Sequence, residues 1–446
     1  MLNSLNLQNE LSRNVIKNSQ EYLKDAEEVD EKVKNSKAIY KGNPVPYLYI
    51  PRIFSKKDIE TMEKLTENIF EIVNKTINLY IEEKEVRKLF GFDKKLEELI
   101  KSPCYYKTNV PMGRFDIFYY GDSYKFCELN ADGSSAMNED KELSRVLLQS
   151  KPVRETNNYN FKQFELFDSW VETVEEIYYE YKKNRNEKIK DKSNTNLGIV
   201  DLLDKTTKIE IEEFKTYFQN KGYNCYIIDG RDLDYDKGEL YYDDKKIDVI
   251  YRRLVTKDLM DNYDALENFV KGILSGNTCI IGPIKSQIIH TKKFFQVLHD
   301  KTFQRYLNEE DIEYINEHIP YTKALNKDNK WQEYLDEKDR YIIKPVDFYA
   351  SKGVYSGKDY KSNQWKNILE TCIKEEYIIQ EFCKESKISN IIYKEGKLKY
   401  NTFNNINGLF MYNEKFKGVY TRGGMNAIIS GLHEGYSMST LIAEEK

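Results

Sequence analysis

The stretch Gly113–Asn130, GRFDIFYYGDSYKFCELN, constrains the fold more than any other part of the chain. It sets Arg114, Asp116, Glu128 and Asn130 at even spacing on either side of Gly121-Asp122. Residues two apart on a strand share a face, so a β-hairpin would aim all four polar groups one way. Three of them are oxygen donors. Asp116, Glu128 and Asn130 suit Mg²⁺, a hard cation that takes carboxylates together with phosphate oxygens and water. Arg114 beside them suits a phosphate, whose oxygens match its fork of donors. The same alternation is also the ordinary pattern of a half-buried strand, with Phe115, Ile117, Phe118 and Phe126 turned to the core. The next residues favour a site. Asn130-Ala-Asp-Gly-Ser-Ser135 is small and hydroxylated where a strand would carry bulk, and such a turn leaves N–H groups and hydroxyls to hold an anion.

With 446 residues the chain exceeds one ordinary core, so two or three structural units are expected. Charged residues make up 32% but nearly cancel, to a net −5, so no nucleic-acid or membrane partner is expected through bulk charge. Residues 1–25 lack both a long apolar run and the basic-then-apolar order of a leader, and a cytoplasmic location is expected. Six cysteines show no C-x-x-C pair and the four histidines do not cluster with them. Free thiols are therefore expected rather than a zinc site or disulfides.

Along the chain, residues 1–45 read as peripheral polar helices. Ser55 starts a longer helix in which Ile59, Met62, Leu65, Ile69, Ile72 and Ile77 follow helical spacing, with acidic residues in the first turn. Residues 46–195 take in that helix, the hairpin, a helix over Asp140–Leu148, an aromatic-rich amphipathic helix over Phe161–Tyr181 and a charged linker over Lys182–Thr195. Residues 196–285 form a βαβ unit: strand LGIVDLL, helix Lys208–Asn220, then strand CYIIDG. Such units make a parallel sheet with clefts at the strand C-termini. The run LYYDDKKIDVIYRRL reads as a hairpin leading to Arg252 and Arg253, taken here as an ordinary surface pair, with a second carboxylate as their alternative partner.

Residues 286–446 carry the nucleotide candidates. Thr291-Lys292-Lys293 opens a helix, and Tyr341-Ile-Ile-Lys344-Pro345 is a buried strand followed by a loop, Ser351-Lys352-Gly353-Val354. Tyr377-Ile-Ile-Gln380-Glu381 is an apolar strand with a polar end. A late hairpin then leads to Tyr420-Thr421-Arg422-Gly423-Gly424. Lysines delivered from strands and small loops can neutralise phosphates, and a Gln-Glu pair can face adenine. Each piece alone has a plainer explanation, such as a snorkelling strand lysine or a turn glycine. Their joint occurrence carries the argument.

In this order the motifs R-x-D, E-x-N-A-D-x-x-S, a lysine-opened helix, a strand ending K-P, a strand ending Q-E and a late Arg resemble the glutathionylspermidine synthase-like group of circularly permuted ATP-grasp enzymes. The resemblance covers roughly residues 45–440. It implies an α+β and α/β chain: a permuted ATP-grasp fold with a Rossmann-like pre-ATP-grasp substrate domain. It implies ATP and Mg²⁺ as cofactors, with Asp116, Glu128 and Asn130 on the metal and Lys292, Lys344, Lys352, Gly353, Gln380 and Glu381 on ATP. Arg114 and Arg422 would stabilise the transferred phosphoryl group, and Ser134 and Ser135 would hold the carboxylate substrate. The late motif reads T-R-G-G, so Arg422 is matched by order and spacing.

The activity so implied is ATP-dependent ligation of a small peptide-like or amino-acid carboxylate to an amine through an acyl phosphate, releasing ADP and phosphate. A small-molecule kinase of the same fold and a non-catalytic nucleotide-binding scaffold are the alternatives. An intact carboxylate cluster argues against the scaffold, because buried carboxylates without a cation are costly.

Overall fold

The computed structural model describes residues 3–40, 42–328, 330–347, 352–429 and 435–446. Helices α1 (Ser4–Lys17) and α2 (Ser19–Lys34) open the chain. They are more than a peripheral decoration: Leu7, Leu11, Val15, Tyr22, Ala26 and Val29 form one core cluster with Ile391 and Ala443 from the far end of the sequence. Strand β1 (Arg52–Ser55) runs into α3 (Lys56–Glu82). A reciprocal cap fixes that start, with Ser55 Oγ accepting from Asp58 N and the Asp58 carboxylate accepting from Ser55 N. The Tyr119 hydroxyl donates to Asp58 at 2.7 Å and so ties α3 to the hairpin.

The hairpin consists of β2 (Met112–Tyr119) and β3 (Tyr124–Asn130). Helix α4 (Met137–Leu147), strand β4 (Tyr159–Gln163) and helix α5 (Asp168–Asn184) follow. The aromatic-rich helix expected over Phe161–Tyr181 is thus shorter at its start. The Glu165 carboxylate accepts from the backbone amides of Phe167, Asp168 and Ser169, which caps the helix there and leaves 159–163 to pair as a strand. The supposed linker also begins inside α5, where Lys182 is buried and paired with Glu187.

Next come β5 (Asn196–Asp201), α6 (Lys208–Asn220), β6 (Asn224–Asp229), β7 (Val249–Arg252) and β8 (Cys279–Ile281). They form a parallel sheet in the order β8-β7-β5-β6. The hairpin read into LYYDDKKIDVIYRRL is only its first half. Residues 239–242 and 245–246 pair around Asp243 and Asp244, both with positive φ, and Val249–Arg252 then enters the parallel sheet as an inner strand. A run of apolar residues buried on both faces suits that position better than a hairpin arm.

The strands after Ile281 are β9 (Thr322–Ala324), β10 (Tyr341–Pro345), β11 (Tyr355–Ser356), β12 (Tyr377–Glu381), β13 (Ser386–Lys394), β14 (Lys397–Tyr412), β15 (Lys415–Gly424), β16 (Tyr436–Met438) and β17 (Thr440–Glu445) among the described residues. Antiparallel strands in the order β9-β12-β10-β11 make one sheet. A second antiparallel sheet runs β16-β15-β14-β2-β3, with β13 beside the first half of β14. The early hairpin therefore sits in one sheet with late strands. A third small sheet, β1-β17-β4, joins both ends of the chain.

One apolar core runs from α3 through the parallel sheet to β14 and β15. The β9-β12-β10-β11 sheet has its own, built on Tyr334, Ile343, Trp365, Leu369 and Ile379. Among the described residues no helix is long and apolar enough to cross a membrane.

Asp140, fully enclosed in α4, holds the start of β17: Thr440 N and Oγ1 donate to its Oδ1 at 3.2 and 2.6 Å, while among the described residues its Oδ2 has no hydrogen-bond partner. Burial pushes this carboxyl up to about 8, against the Thr440 hydrogen bonds. Between about pH 4 and that value the folded chain holds a proton the unfolded chain has lost, so stability falls as pH rises through the window. Asn is the isostere of the protonated form. The Asp140→Asn variant should therefore gain urea stability over wild type as pH rises from 5 to 8.5; a gap that stays constant with pH would contradict this.

Candidate functional site

The register of the hairpin makes the site. Arg114 lies opposite Asn130 and Asp116 opposite Glu128, after which a β-bulge shifts the pairing so that Ile117 faces Phe126 and Cys127 is the extra residue. Gly408 of β14 lies opposite Asp116 on the other flank. A Cβ at 408 would stand 2.7 Å from Arg114 Cδ and 2.7 Å from Asp116 Oδ1, so this glycine leaves the room in which the two side chains meet.

Asp116 is fully buried. Arg114 Nε donates to its Oδ1 at 3.1 Å, and Arg422 Nη2, from β15 on the far side of β14, donates to its Oδ2 at 2.5 Å. Arg114 has further anchors. Its Nη1 donates to the Ser135 carbonyl at 2.9 Å, and its guanidinium lies 5.9 Å from the Tyr420 ring centroid. Two cations around one buried carboxylate satisfy the rule that interior charges are paired and hydrogen-bonded.

Glu128 is the second acid. Burial alone would raise its carboxyl, but Lys292, Lys344 and Arg422, helped by the Asn130 amide, hold it down at about 2. Asn130 Nδ2 donates to Oε1 at 3.3 Å and Lys292 Nζ stands 4.0 Å from Oε2. Lys292 is the residue that starts the helix over Lys293–Leu298, and its own N–H donates to the Val346 carbonyl just after β10. Burial pushes its ammonium below the usual value; Glu128 opposes that shift and Lys344 adds to it. Lys344 is buried and donates to the Cys127 carbonyl at 3.1 Å.

The turn after β3 is fastened from the parallel sheet. Ser134 Oγ donates to the Asn130 carbonyl at 2.9 Å, and Asp132 accepts from Arg252 Nη2 at 2.6 Å and Thr256 N at 2.5 Å. Gly133 has φ +57°, and a Cβ there would lie 2.3 Å from Val255 Cγ1. Arg252 and Arg253 are thus no surface pair. Both are buried, and Arg253 Nη2 sits 2.9 Å from Glu210, whose other oxygen accepts from the amides of Ala136 and Asn138 at the start of α4. Partners on distant segments pull these charges inside.

The structure therefore brings together Arg114, Asp116, Glu128, Asn130, Ser134, Ser135, Lys292, Lys344 and Arg422. The other candidates belong to the sheet with its own core. Gln380 is buried and donates to Thr322 Oγ1 at 2.9 Å, Glu381 is exposed at the end of β12, Lys352 is exposed, and Gly353 has φ +69°. Ser351 lies outside the described residues. Sequence reading missed His290, whose imidazole burial keeps below its usual pKa while Asp132, Asp347 and Glu128 oppose that shift and Lys292 adds to it. It also missed Gly408. Neither has a local signature, since each gains meaning from residues on other segments.

The clustered donors are hard oxygens and guanidinium or ammonium groups. Among the described residues no group of three His, Cys, Asp or Glu side chains converges as a metal site. Two carboxylates and an amide suit a cation that takes its remaining ligands from phosphate and water.

A family model described as glutathionylspermidine synthase pre-ATP-grasp matches residues 47–308. No curated protein sequence matches the chain. Among solved structures, the apo form of a glutathione synthetase-like effector from Globodera pallida superposes with a TM-score of 0.59, over 94% of this chain and 97% of that one, at 13% identity. That likeness is one of fold. A candidate γ-glutamylcysteine synthetase from Methylobacillus flagellatus aligns more loosely, with a TM-score of 0.39 over 85% and 87% of the two chains at 11% identity.

The Gly408→Ala variant should lose about 1–3 kcal/mol of stability to urea, the usual range for forcing a methyl into a packed space. Gly424→Ala, in the same sheet but with no neighbour nearer than 3.6 Å among the described residues, serves as the control. Equal losses in the two variants would contradict the role given to Gly408.

Proposed function

The chain belongs to the glutathionylspermidine synthase family, with an ATP-grasp fold and an α/β pre-ATP-grasp region; from that premise we propose that it is an ATP-dependent carboxylate–amine ligase. Its substrates would be a small peptide-like or amino-acid carboxylate and an amine. The observation that supports this most is the cluster of two carboxylates under four cations, Arg114, Arg422, Lys292 and Lys344. Phosphoryl transfer asks little covalent chemistry of a protein and much positioning and charge neutralisation, which such a cluster supplies.

In this reading Lys292 and Lys344 would hold the ATP phosphates, and Lys352 and Gly353 would lie over them. Gln380 and Glu381 would face the adenine. Asp116, Glu128 and Asn130 would hold Mg²⁺. When bound, that ion screens phosphate charge and orients the transferred group. Arg114 and Arg422 would steady the equatorial oxygens as the substrate carboxylate attacks the γ-phosphoryl and ADP leaves. Ser134 and Ser135, in the turn pinned by Asp132 and Arg252, would hold that carboxylate; the amine then attacks the carbonyl carbon of its acyl phosphate, forming the amide and releasing free phosphate.

A coupled ADP-release assay with Mg²⁺-ATP and a panel of carboxylates, with and without amines, tests the reading. ADP release should need both partners. Glu128→Gln and Asp116→Asn should each lower it by on the order of 10²–10³-fold, the loss typical for removing one electrostatic element of a transition-state site. Circular dichroism should be unchanged. Wild-type turnover by either variant at saturating Mg²⁺ would contradict the assignment.

A further inference from the structure

Both oxygens of Asp116 are already taken. Arg114 Nε holds Oδ1 and Arg422 Nη2 holds Oδ2, in a place with no exposure to solvent. A carboxylate oxygen can accept a hydrogen bond and bind a cation at once, but a divalent cation on Asp116 would stand close to two guanidinium charges. Their repulsion holds its affinity down until one arginine is drawn off. Arg114 is tied down by the Ser135 carbonyl and the Tyr420 ring, and its side chain is 13% exposed. Arg422 is 20% exposed, and among the described residues the hydrogen bond that holds it is the one to Asp116. Of the two, Arg422 is the more weakly held.

The surrounding charge says what would move it. Arg114, Arg422, Lys292 and Lys344 face the two carboxylates Asp116 and Glu128; even with Asp347, which acts on Lys292, cations are in excess. A cluster of that sign repels a free divalent cation and attracts a polyanion. A phosphate chain entering over Lys292 and Lys344 offers Arg422 a bidentate partner that competes with Asp116.

We propose that Arg422 is a latch on Asp116: a polyphosphate draws its guanidinium away, and only then does Asp116 bind a divalent cation tightly. This rests on the reading of Asp116 and Glu128 as cation ligands and adds an order to it. The cation binds to the nucleotide-loaded protein, and in the free protein the latch keeps the cation's affinity low.

Mn²⁺ binding to the full chain without nucleotide, followed by the free-ion electron paramagnetic resonance signal, tests the latch. Arg422→Gln should bind Mn²⁺ at least tenfold more tightly than wild type. Lys344→Gln removes an equal charge from the cluster without freeing Asp116 and should tighten binding clearly less than Arg422→Gln does. Adding Asp116→Asn to Arg422→Gln should return affinity to the wild-type level. Arg422→Met replaces the Gln variant if the latter does not fold. The latch is wrong if Arg422→Gln binds no more tightly than Lys344→Gln, or if the double variant keeps the gain; ADP release needing both substrates would survive either result. Absence of Mn²⁺ binding in every chain, with or without the β,γ-imido analogue of ATP, would instead overturn the ligand reading and the latch with it.

Discussion

The Asp116 carboxylate between two guanidinium groups is the interaction on which the rest of the site depends. It joins β2 to β15 across β14, so the charge pair spans three strands and demands that the middle one carry no side chain at 408. An interior carboxylate that lost both partners would be far more costly than an exposed one. The glycine opposite Asp116 follows from that requirement.

Two of the molecule's apolar cores supply the site around that pair. The sheet carrying Lys344 and Gln380 packs on Trp365 and Leu369, while the hairpin belongs to the large core that runs into the parallel sheet. Polar contacts join them at the site, notably Lys344 to the Cys127 carbonyl and Lys292 N–H to the Val346 carbonyl.

Much of this was legible in the sequence because the signal was local. Strand periodicity alone put Arg114, Asp116, Glu128 and Asn130 on one face, and the register pairs them as that face requires. The βαβ unit and the strand carrying Lys344 were equally readable from apolar runs between polar turns. What was not legible depended on distant partners. Arg252 and Arg253 looked like surface charge because Asp132 and Glu210 come from other segments. The apolar residues of Val249–Arg252 suit an inner strand, but which strands flank it depends on distant segments, and the Glu165 cap that shortens the helix at Asp168 is a side-chain event no periodicity reveals.

The claim that this cluster serves ligation rather than simple phosphorylation is tested most directly by the mass of the product formed with Mg²⁺-ATP, a carboxylate and an amine that together support ADP release. The account predicts a species equal to the sum of the two substrates less one water, with free phosphate alongside. A stable phosphorylated carboxylate or amine, formed without its partner, would contradict it.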